Sequence, residues 1–320
     1  MRSKKFLIIA GIVIVIFVSV FAAKAMYSRI PNLHDYSAQK AYAQKAHNQA
    51  QRTSEEIFFS PNIIIGEFLK WTIGENSWEK SVKAQLYLIN KYPEKVKDDV
   101  DVYGWLGDSY KKLRQSEKAR GTYEKQLEIF KRLYYKKQYP ERAHLSDTRT
   151  LIEEIRYIVR AHYNIAASYN AQKRYDDAIK QYDAAIAYID DLGDIKPFAW
   201  DDIFLSTFRS RGKIYKVIFK EYEKAIKNYK EMKSKIHASM AMSEADILIG
   251  DTYLAQGQIE KAKKIYRKVV DDYKTRPIGQ RGNYDTAEKR LRQLDNGETI
   301  VAIDGVVYKI ENGKVDVSLT

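Results

Sequence analysis

"GDTYLAQGQIEKAKKIYRKV" (residues 250–269) places Gly250 three residues before Tyr253, twelve before Ala262 and sixteen before Tyr266. The same spacing recurs with Gly107, Tyr110, Ala119 and Tyr123, and again with Ala166, Tyr169, Ala178 and Tyr182. A further copy, Gly212, Tyr215, Ala225 and Tyr229, carries one extra residue between its halves. Apolar residues fall at i, i+3, i+4 and i+7 within each half, so each copy predicts two amphipathic helices. The small residues then belong where two antiparallel helices cross and their backbones must approach. The aromatics fill the space beside them.

This grammar resembles the tetratricopeptide repeat, in which a Gly and a Tyr mark the first helix, an Ala and an aromatic the second, and a Pro often follows. The family's Trp position is taken here by Tyr103, His162, Arg209 or Asp246, and the Pro arrives late, at Pro277. A divergent half-copy, "NSWEKSVKAQLYLINKYP" (76–93), has Ser81 in place of the Ala, and its first helix is expected near "PNIIIGEFLKW" (61–71). Successive alanines are 59, 47 and 37 residues apart, so stretches such as 134–150 and 190–202 must lengthen the turns between repeats. The fold class expected is an all-α helical solenoid of four to five repeats. The competing reading is an irregular helical bundle with Ala and Tyr at helical spacing by chance.

The resemblance also implies a site. Members of the family bind extended peptides or partner helices in a groove lined by the first helix of each repeat. The groove positions correspond here to Trp105, Asp108, Lys112, Arg160, Tyr163, Asn164, Asn170, Arg209, Lys213 and Lys216. Asn164 with Arg209, Lys213 and Lys216 resembles in part the family's clamp for a peptide carboxylate. Arg and Lys would supply charge-assisted hydrogen bonds, and Trp105 and Tyr163 rigid apolar contact. The competing reading for each residue is ordinary surface charge or packing between repeats.

At the N-terminus, residues 6–23 form an 18-residue run without a charge, "FLIIAGIVIVIFVSVFAA". As a helix this rises about 27 Å, close to the roughly 30 Å of a hydrocarbon core. A retained single-pass anchor is expected. A cleavable signal peptide ending near the small residues of "AKA" (23–25) is the alternative. Arg2, Lys4 and Lys5 precede the run, which by the positive-inside rule leaves the N-terminus cytoplasmic and the bulk of the chain periplasmic or otherwise extracytoplasmic. The chain therefore divides into an anchor at 1–28, a stalk or first solenoid helix at 29–60, a solenoid at 61–296 and a tail at 297–320.

The tail, "TIVAIDGVVYKIENGKVDVSLT" (299–320), changes period from helix to strand. Asp304-Gly305 and Asn312-Gly313 are favoured two-residue hairpin turns. Folding at both sets Ile303 opposite Val306, Val301 opposite Tyr308, Ile310 opposite Val315 and Tyr308 opposite Val317 on one face. The other face pairs Lys309 with Asp316 and Glu311 with Lys314. The expected three-stranded meander either covers the last helix, as a terminal repeat requires, or offers a face or edge to a partner.

Charge and chemistry narrow the function. The net charge is +13, of which Arg2, Lys4, Lys5, Lys24 and Arg29 contribute +5 and leave +8 for the rest. Bases are dense in 111–137, 209–235 and 261–292 but interleaved with acids, the pattern of a solvated helix face, with an anionic partner or lipid surface as the alternative. No nucleic-acid motif is present, and no nucleic acid is expected as partner. There is no cysteine, which excludes disulfides and thiolate metal sites. His34, His47, His144, His162 and His237 are scattered, without metal-ligand spacing. Acidic doublets such as Asp98-Asp99 and Asp176-Asp177 suit helix caps. With no phosphate loop or nucleophile motif either, no cofactor, metal or catalysis is expected. The function expected is a membrane-tethered adaptor that binds proteins of a membrane-associated complex. A chaperone-like accessory of secretion and a binder of an anionic envelope polymer or lipid are the alternatives.

Overall fold

The computed structural model describes residues 36–58, 75–133, 145–190, 202–236, 239–276, 283–311 and 314–319. The apolar run at 6–23, the expected helix at 61–71 and the Asn312-Gly313 turn lie outside the described residues. Among the described residues no helix is long and apolar enough to cross a membrane. The chain divides into two compact units, residues 1–115 and 116–320.

In the first unit, α1 (Tyr36–Phe58) and α2 (Glu75–Lys91) pack together, a short α3 (Pro93–Val96) opens on its proline, and α4 (Val100–Lys112) packs on α2. Gln39, Ala43, His47 and Ala50, spaced three or four apart, form the buried face of α1. Through this face the helix packs on α2. The acidic doublet acts as a cap. The Asp99 side chain accepts from the backbone N–H of Asp101 and Val102 at the start of α4, a contact whose loss typically costs ~1 kcal/mol. Lys40 reaches the same carboxylate at 2.8 Å and so ties α1 to it. Ser81, standing where other copies have Ala, is fully buried and bonds Ser109 at 2.9 Å and Gln85 at 2.9 Å.

The second unit contains α5 (Ser116–Leu133), α6 (Leu145–Ala171), α7 (Tyr175–Asp190), α8 (Asp202–Lys213), α9 (Tyr222–Lys235), α10 (Ser239–Ala255), α11 (Ile259–Tyr273) and α12 (Tyr284–Asn296). Each packs on the next in sequence, which is the arrangement of helical repeats. The four alanines of the motif are fully buried, and Tyr123, Tyr182, Tyr229 and Tyr266 are among the largest fully buried side chains. The small residue is required by contact with that tyrosine. A β-carbon at Gly212 would lie 2.4 Å from Tyr229 Cζ, and one at Gly250 would lie 2.5 Å from Tyr266 Cε1.

The turn inside each repeat is equally regular. Arg114, Lys173 and Gly257 each adopt a left-handed backbone, with φ of 58°, 60° and 74°, seven residues after the small residue. The next N–H, of Gln115, Arg174 or Gln258, donates to the carbonyl of the motif's first tyrosine, Tyr110, Tyr169 or Tyr253, at 2.8–2.9 Å. This is the six-to-one bond that closes a helix C-terminus. The copy with an extra residue follows the same plan one step later. Lys220 is left-handed at φ 56°, and Glu221 N–H donates to Tyr215 at 2.8 Å. The surplus is absorbed by a π-helical turn, Ile214–Ile218, which continues α8. A π-turn takes an added residue without breaking the backbone bonding, and such turns are frequent at functional sites.

The tail forms the antiparallel sheet β1 (Ile300–Val301), β2 (Val306–Glu311) and β3 (Lys314–Leu319), in that order. β2 and β3 pair as expected, with Tyr308 opposite Val317, Lys309 opposite Asp316, Ile310 opposite Val315 and Glu311 opposite Lys314. The first hairpin corrects the sequence reading by one residue. Val301 pairs with Val307, not Tyr308, and Ile300 faces Tyr308. Asp304-Gly305 is not a two-residue loop. Gly305 N–H donates to Ala302 at 2.9 Å, and Gly305, at φ 73°, occupies the left-handed bulge position after a tight turn. A one-residue slip reverses every side chain of a strand. Ile300 and Ala302 are therefore buried, while Val301 and Ile303 are exposed. Ile300, Val306 and Tyr308 pack on Ile247, Leu254, Tyr266 and Leu294, so the sheet covers the last helices. Burying an apolar side chain such as Ile300 contributes about 1.5–3 kcal/mol.

Candidate functional site

Within the second unit, the end of α6, the turn after it, the start of α7, α8 with its π-turn, and the β1–β2 turn enclose a groove of about 480 Å³. Tyr163 and Asn170 come from α6, Lys173 from the left-handed turn and Tyr175 from α7. Ser206, Arg209, Ser210 and Lys213 come from α8, Ile214 and Ile218 from the π-turn, and Ile303 and Asp304 from the tail. Four of the expected residues, Tyr163, Asn170, Arg209 and Lys213, are thus brought together. Their spacing is helical: Tyr163 and Asn170 are two turns apart on α6, and Arg209 and Lys213 one turn apart on α8.

The remaining expectations separate. Trp105, Asp108 and Lys112 lie on α4 in the first unit. Trp105 is half-buried there, stacked on His47 with 6.2 Å between ring centroids and with Lys40 over its face. Arg160 is exposed on α6 and does not line the groove. Asn164, one residue beyond Tyr163, is turned inward and buried. Lys216 is a correction. A regular helix would carry it along the face of Arg209 and Lys213, but the π-turn advances that face to Ile218. Lys216 points inward and forms an ion pair with Asp304 at 2.7 Å, both side chains almost wholly buried. Burial by itself would lower its pKa, but the Asp304 charge outweighs that and holds it above the ordinary lysine value. Its Nζ also lies 5.5 Å from the Tyr308 ring centroid.

Arg209 lines the groove but is committed elsewhere. Its guanidinium grips the buried Glu244 carboxylate of α10, one bond at 2.6 Å, and reaches Asp202 at 3.3 Å. Burial works against the charge, and Glu244 with Asp202 overcomes it, so the arginine is held above its usual pKa. Lys173 and Lys213 have no ion-pair partner among the described residues. With Asp304 neutralised by Lys216 and Arg209 by Glu244, these two amines give the groove its net positive charge. Tyr163, Tyr175, Ile218 and Ile303 give it apolar surface over the buried Ile214, and Asn170, Ser206 and Ser210 hydrogen-bonding edges. Such a surface can hold an extended chain carrying acidic and apolar side chains. It contains no histidine, and among the described residues no His, Asp and Glu cluster could hold a metal ion.

Nine lining residues, among them Lys173, Ser206, Ile218 and Ile303, were not expected from sequence. Lys173 could have been found, because a left-handed residue follows the small residue by seven positions in three copies and by eight in the longer one. Ile303 could not, since its place depends on the hairpin register. The basic stretch 209–235 is in part internal scaffolding. Buried Arg211 binds Asn228 at 2.7 Å, Asp183 at 2.5 Å and Glu231 at 2.5 Å, which joins α7, α8 and α9. Elsewhere exposed bases pair one helical turn away, as Lys125 does with Glu128 and Lys268 with Asp272.

Comparison with known proteins places the repeats. Tetratricopeptide-repeat family models match residues 100–132 and 159–191, and another of the same description matches 244–275. No curated protein matches the sequence. Among solved structures, the apo form of the quorum sensor NprR from B. thuringiensis is similar at 16% identity and a TM-score of 0.42, over 81% of this chain and 65% of that one. The MamA protein is similar at 15% identity and a TM-score of 0.41, over 72% of this chain and 93% of that one. BtubC (BKLC) from P. vanneervenii is similar at 17% identity and a TM-score of 0.43, over 83% of this chain and 94% of that one. Likeness at this level carries no argument about function. Three stretches of the chain thus match tetratricopeptide repeats, and the stretch between the second and third carries the same small-residue and tyrosine pattern with one residue more.

Proposed function

We propose that the protein is an adaptor whose groove, between α6, α8 and the tail, holds a segment of a partner protein. The observation that carries this reading is the groove itself: about 480 Å³, with apolar walls and two lysines that no carboxylate among the described residues neutralises. A groove that served only packing would have been filled by side chains or had its charges paired, as happened at Arg209 and Lys216. Repeat scaffolds of this kind also offer rigid helices on which such contacts are pre-organised, which lowers the entropic cost of binding.

The adaptor works at a membrane on this reading, with the bulk of the chain extracytoplasmic. Support comes from sequence alone: an 18-residue uncharged run at 6–23 behind Arg2, Lys4 and Lys5. The test is crosslinking in cells, detergent extraction and capture of the full chain, beside a Lys173→Glu/Lys213→Glu variant. One abundant partner that the variant loses supports the adaptor. A broad set of unfolded or secreted chains contradicts it and favours a holding chaperone. Capture that collapses with salt and follows polyanions favours a charged-surface role. Partition of the full chain into the soluble fraction contradicts the tether.

A further inference from the structure

We infer that the C-terminal hairpin turn is part of the recognition surface, with Ile303 as the apolar seat for a partner segment that is otherwise acidic. This rests on the groove reading above and deepens it. The tail is then more than a cover for the last helices.

Three observations converge on Ile303. It lines the groove, and it is 37% exposed, whereas its neighbour Ala302 is 5% exposed and packed in the sheet's core. The one-residue shift of the first hairpin produces this difference. In the register expected from sequence Ile303 would oppose Val306, which is fully buried beneath the sheet. The bulge at Gly305 instead leaves Ile303 exposed in the groove lining, which also contains Ile218 of the π-turn and the nearly buried Ile214. Finally, the turn is fixed in place. Asp304 is held by Lys216 at 2.7 Å, inside the same π-turn that supplies those two isoleucines. Lys216 and Asp304 are thus positioning residues: neither charge is open to a ligand, and together they tie the hairpin turn that carries Ile303 to the π-turn.

The ligand class follows from the charges left over. Lys173 and Lys213 flank the apolar seat without partners among the described residues, while the one carboxylate in the lining, Asp304, is neutralised. An acidic segment with an aliphatic side chain complements this surface. A basic one would meet two like charges.

The test uses the purified full chain and fluorescein-labelled synthetic peptides read by anisotropy. One peptide carries glutamates and leucines in a Ser/Gly background. A second replaces the leucines with serine, and a third replaces the glutamates with lysine. The wild type should bind the first about tenfold or more tighter than the second, as expected for lost apolar contact, and should not bind the third. In Ile303→Ser the preference for leucine should fall close to one, with an unchanged melting curve because the side chain is partly exposed. Ile303→Ala serves if the serine variant fails to fold. Lys173→Glu/Lys213→Glu should lose both acidic peptides. If Ile303→Ser keeps the full leucine preference while the double lysine variant loses binding, the tail's role is overturned and the groove stands. If the double variant binds as well as wild type, the groove reading itself falls. Equal binding of the leucine-free peptide by wild type, or no binding of any peptide, also overturns the proposal.

Discussion

The repeats at 250–266 and 212–229 make the same internal contact with different lengths of chain. In both, a glycine lies so close to a buried tyrosine that no β-carbon fits. In both, the motif's first tyrosine accepts the bond that closes the first helix. The regular repeat does this with ordinary α-helix, and its neighbouring positions serve packing. The longer repeat inserts a π-turn, and from it come two groove residues, Ile214 and Ile218, and the buried lysine that pins the tail. The repeat geometry is therefore maintained at the crossing and the turn. The irregular residue is spent between them, where the groove is.

The sharpest way to break this comparison is to remove the lysine that only the longer repeat turns inward. Lys216→Met leaves Asp304 buried without its partner and should destabilise the second unit by about 3–5 kcal/mol, whereas Lys216→Met with Asp304→Leu should recover most of it. Chemical denaturation of the three proteins measures both. A loss for the double variant equal to the single one would show that the ion pair is not what holds the turn.

A second prediction compares the crossings directly. Gly212→Ala and Gly250→Ala each drive a methyl into a buried ring and should cost about 2–3 kcal/mol by overpacking. If the π-turn slackens its repeat, Gly212→Ala will be cheaper, and the claim that both crossings are equivalent fails. Thermal melts of the two variants decide it.

The regular repeat at 166–182 yields a pH prediction. His162, at the family's Trp position, is buried; burial chiefly, and Lys131 in addition, push its pKa down to about 4 against the opposing hydrogen bond that its Nδ1–H donates to Gln181 Oε1. The unfolded chain takes up the proton near pH 6.5 and the folded chain resists, so stability falls as pH drops through the window from 6.5 to 4. The expected loss is about 1 kcal/mol between pH 7 and pH 5.5. His162→Gln should flatten that slope in paired denaturation curves, and an unchanged slope would assign the effect to other groups. At the small end, Lys224→Ala breaks the exposed pair with Glu221 and a 5.8 Å contact of the amine with the Tyr215 ring, and should shift stability by less than about 1 kcal/mol.

These effects also sort what the sequence could reveal. The repeats were legible because a close crossing demands Gly or Ala sixteen residues before an aromatic, or seventeen in the longer copy, a constraint local enough to leave a period. The register of β2 on β3 was legible for the same reason, since the alternation of apolar and charged residues fits one pairing. The extra residue after Gly212 was visible as a spacing, yet nothing local says whether a loop or a helix absorbs it, and the face of Lys216 depends on the answer. Likewise Asp304-Gly305 suits both a two-residue turn and a longer bulged one. The choice coincides with a lysine 88 residues earlier in the chain. Arg209 was read as a ligand contact because Glu244, 35 residues away, cannot be placed beside it from spacing alone. The groove was half legible: Tyr163, Asn170, Arg209 and Lys213 were among the expected positions, while Ser206 and Ser210 of α8, the π-turn isoleucines and the tail residues were not.

The most direct test of the central claim places a photo-activatable crosslinking residue at Ser206, inside the groove, and separately at Lys227, on the exposed face of α9. The full chain is expressed in cells and illuminated, and adducts are identified by mass. The account predicts one discrete protein adduct from position 206 that vanishes with Lys173→Glu/Lys213→Glu, and none from position 227. The same adducts from both positions, or a yield from 206 that ignores the lysine changes, would contradict a groove-bound partner.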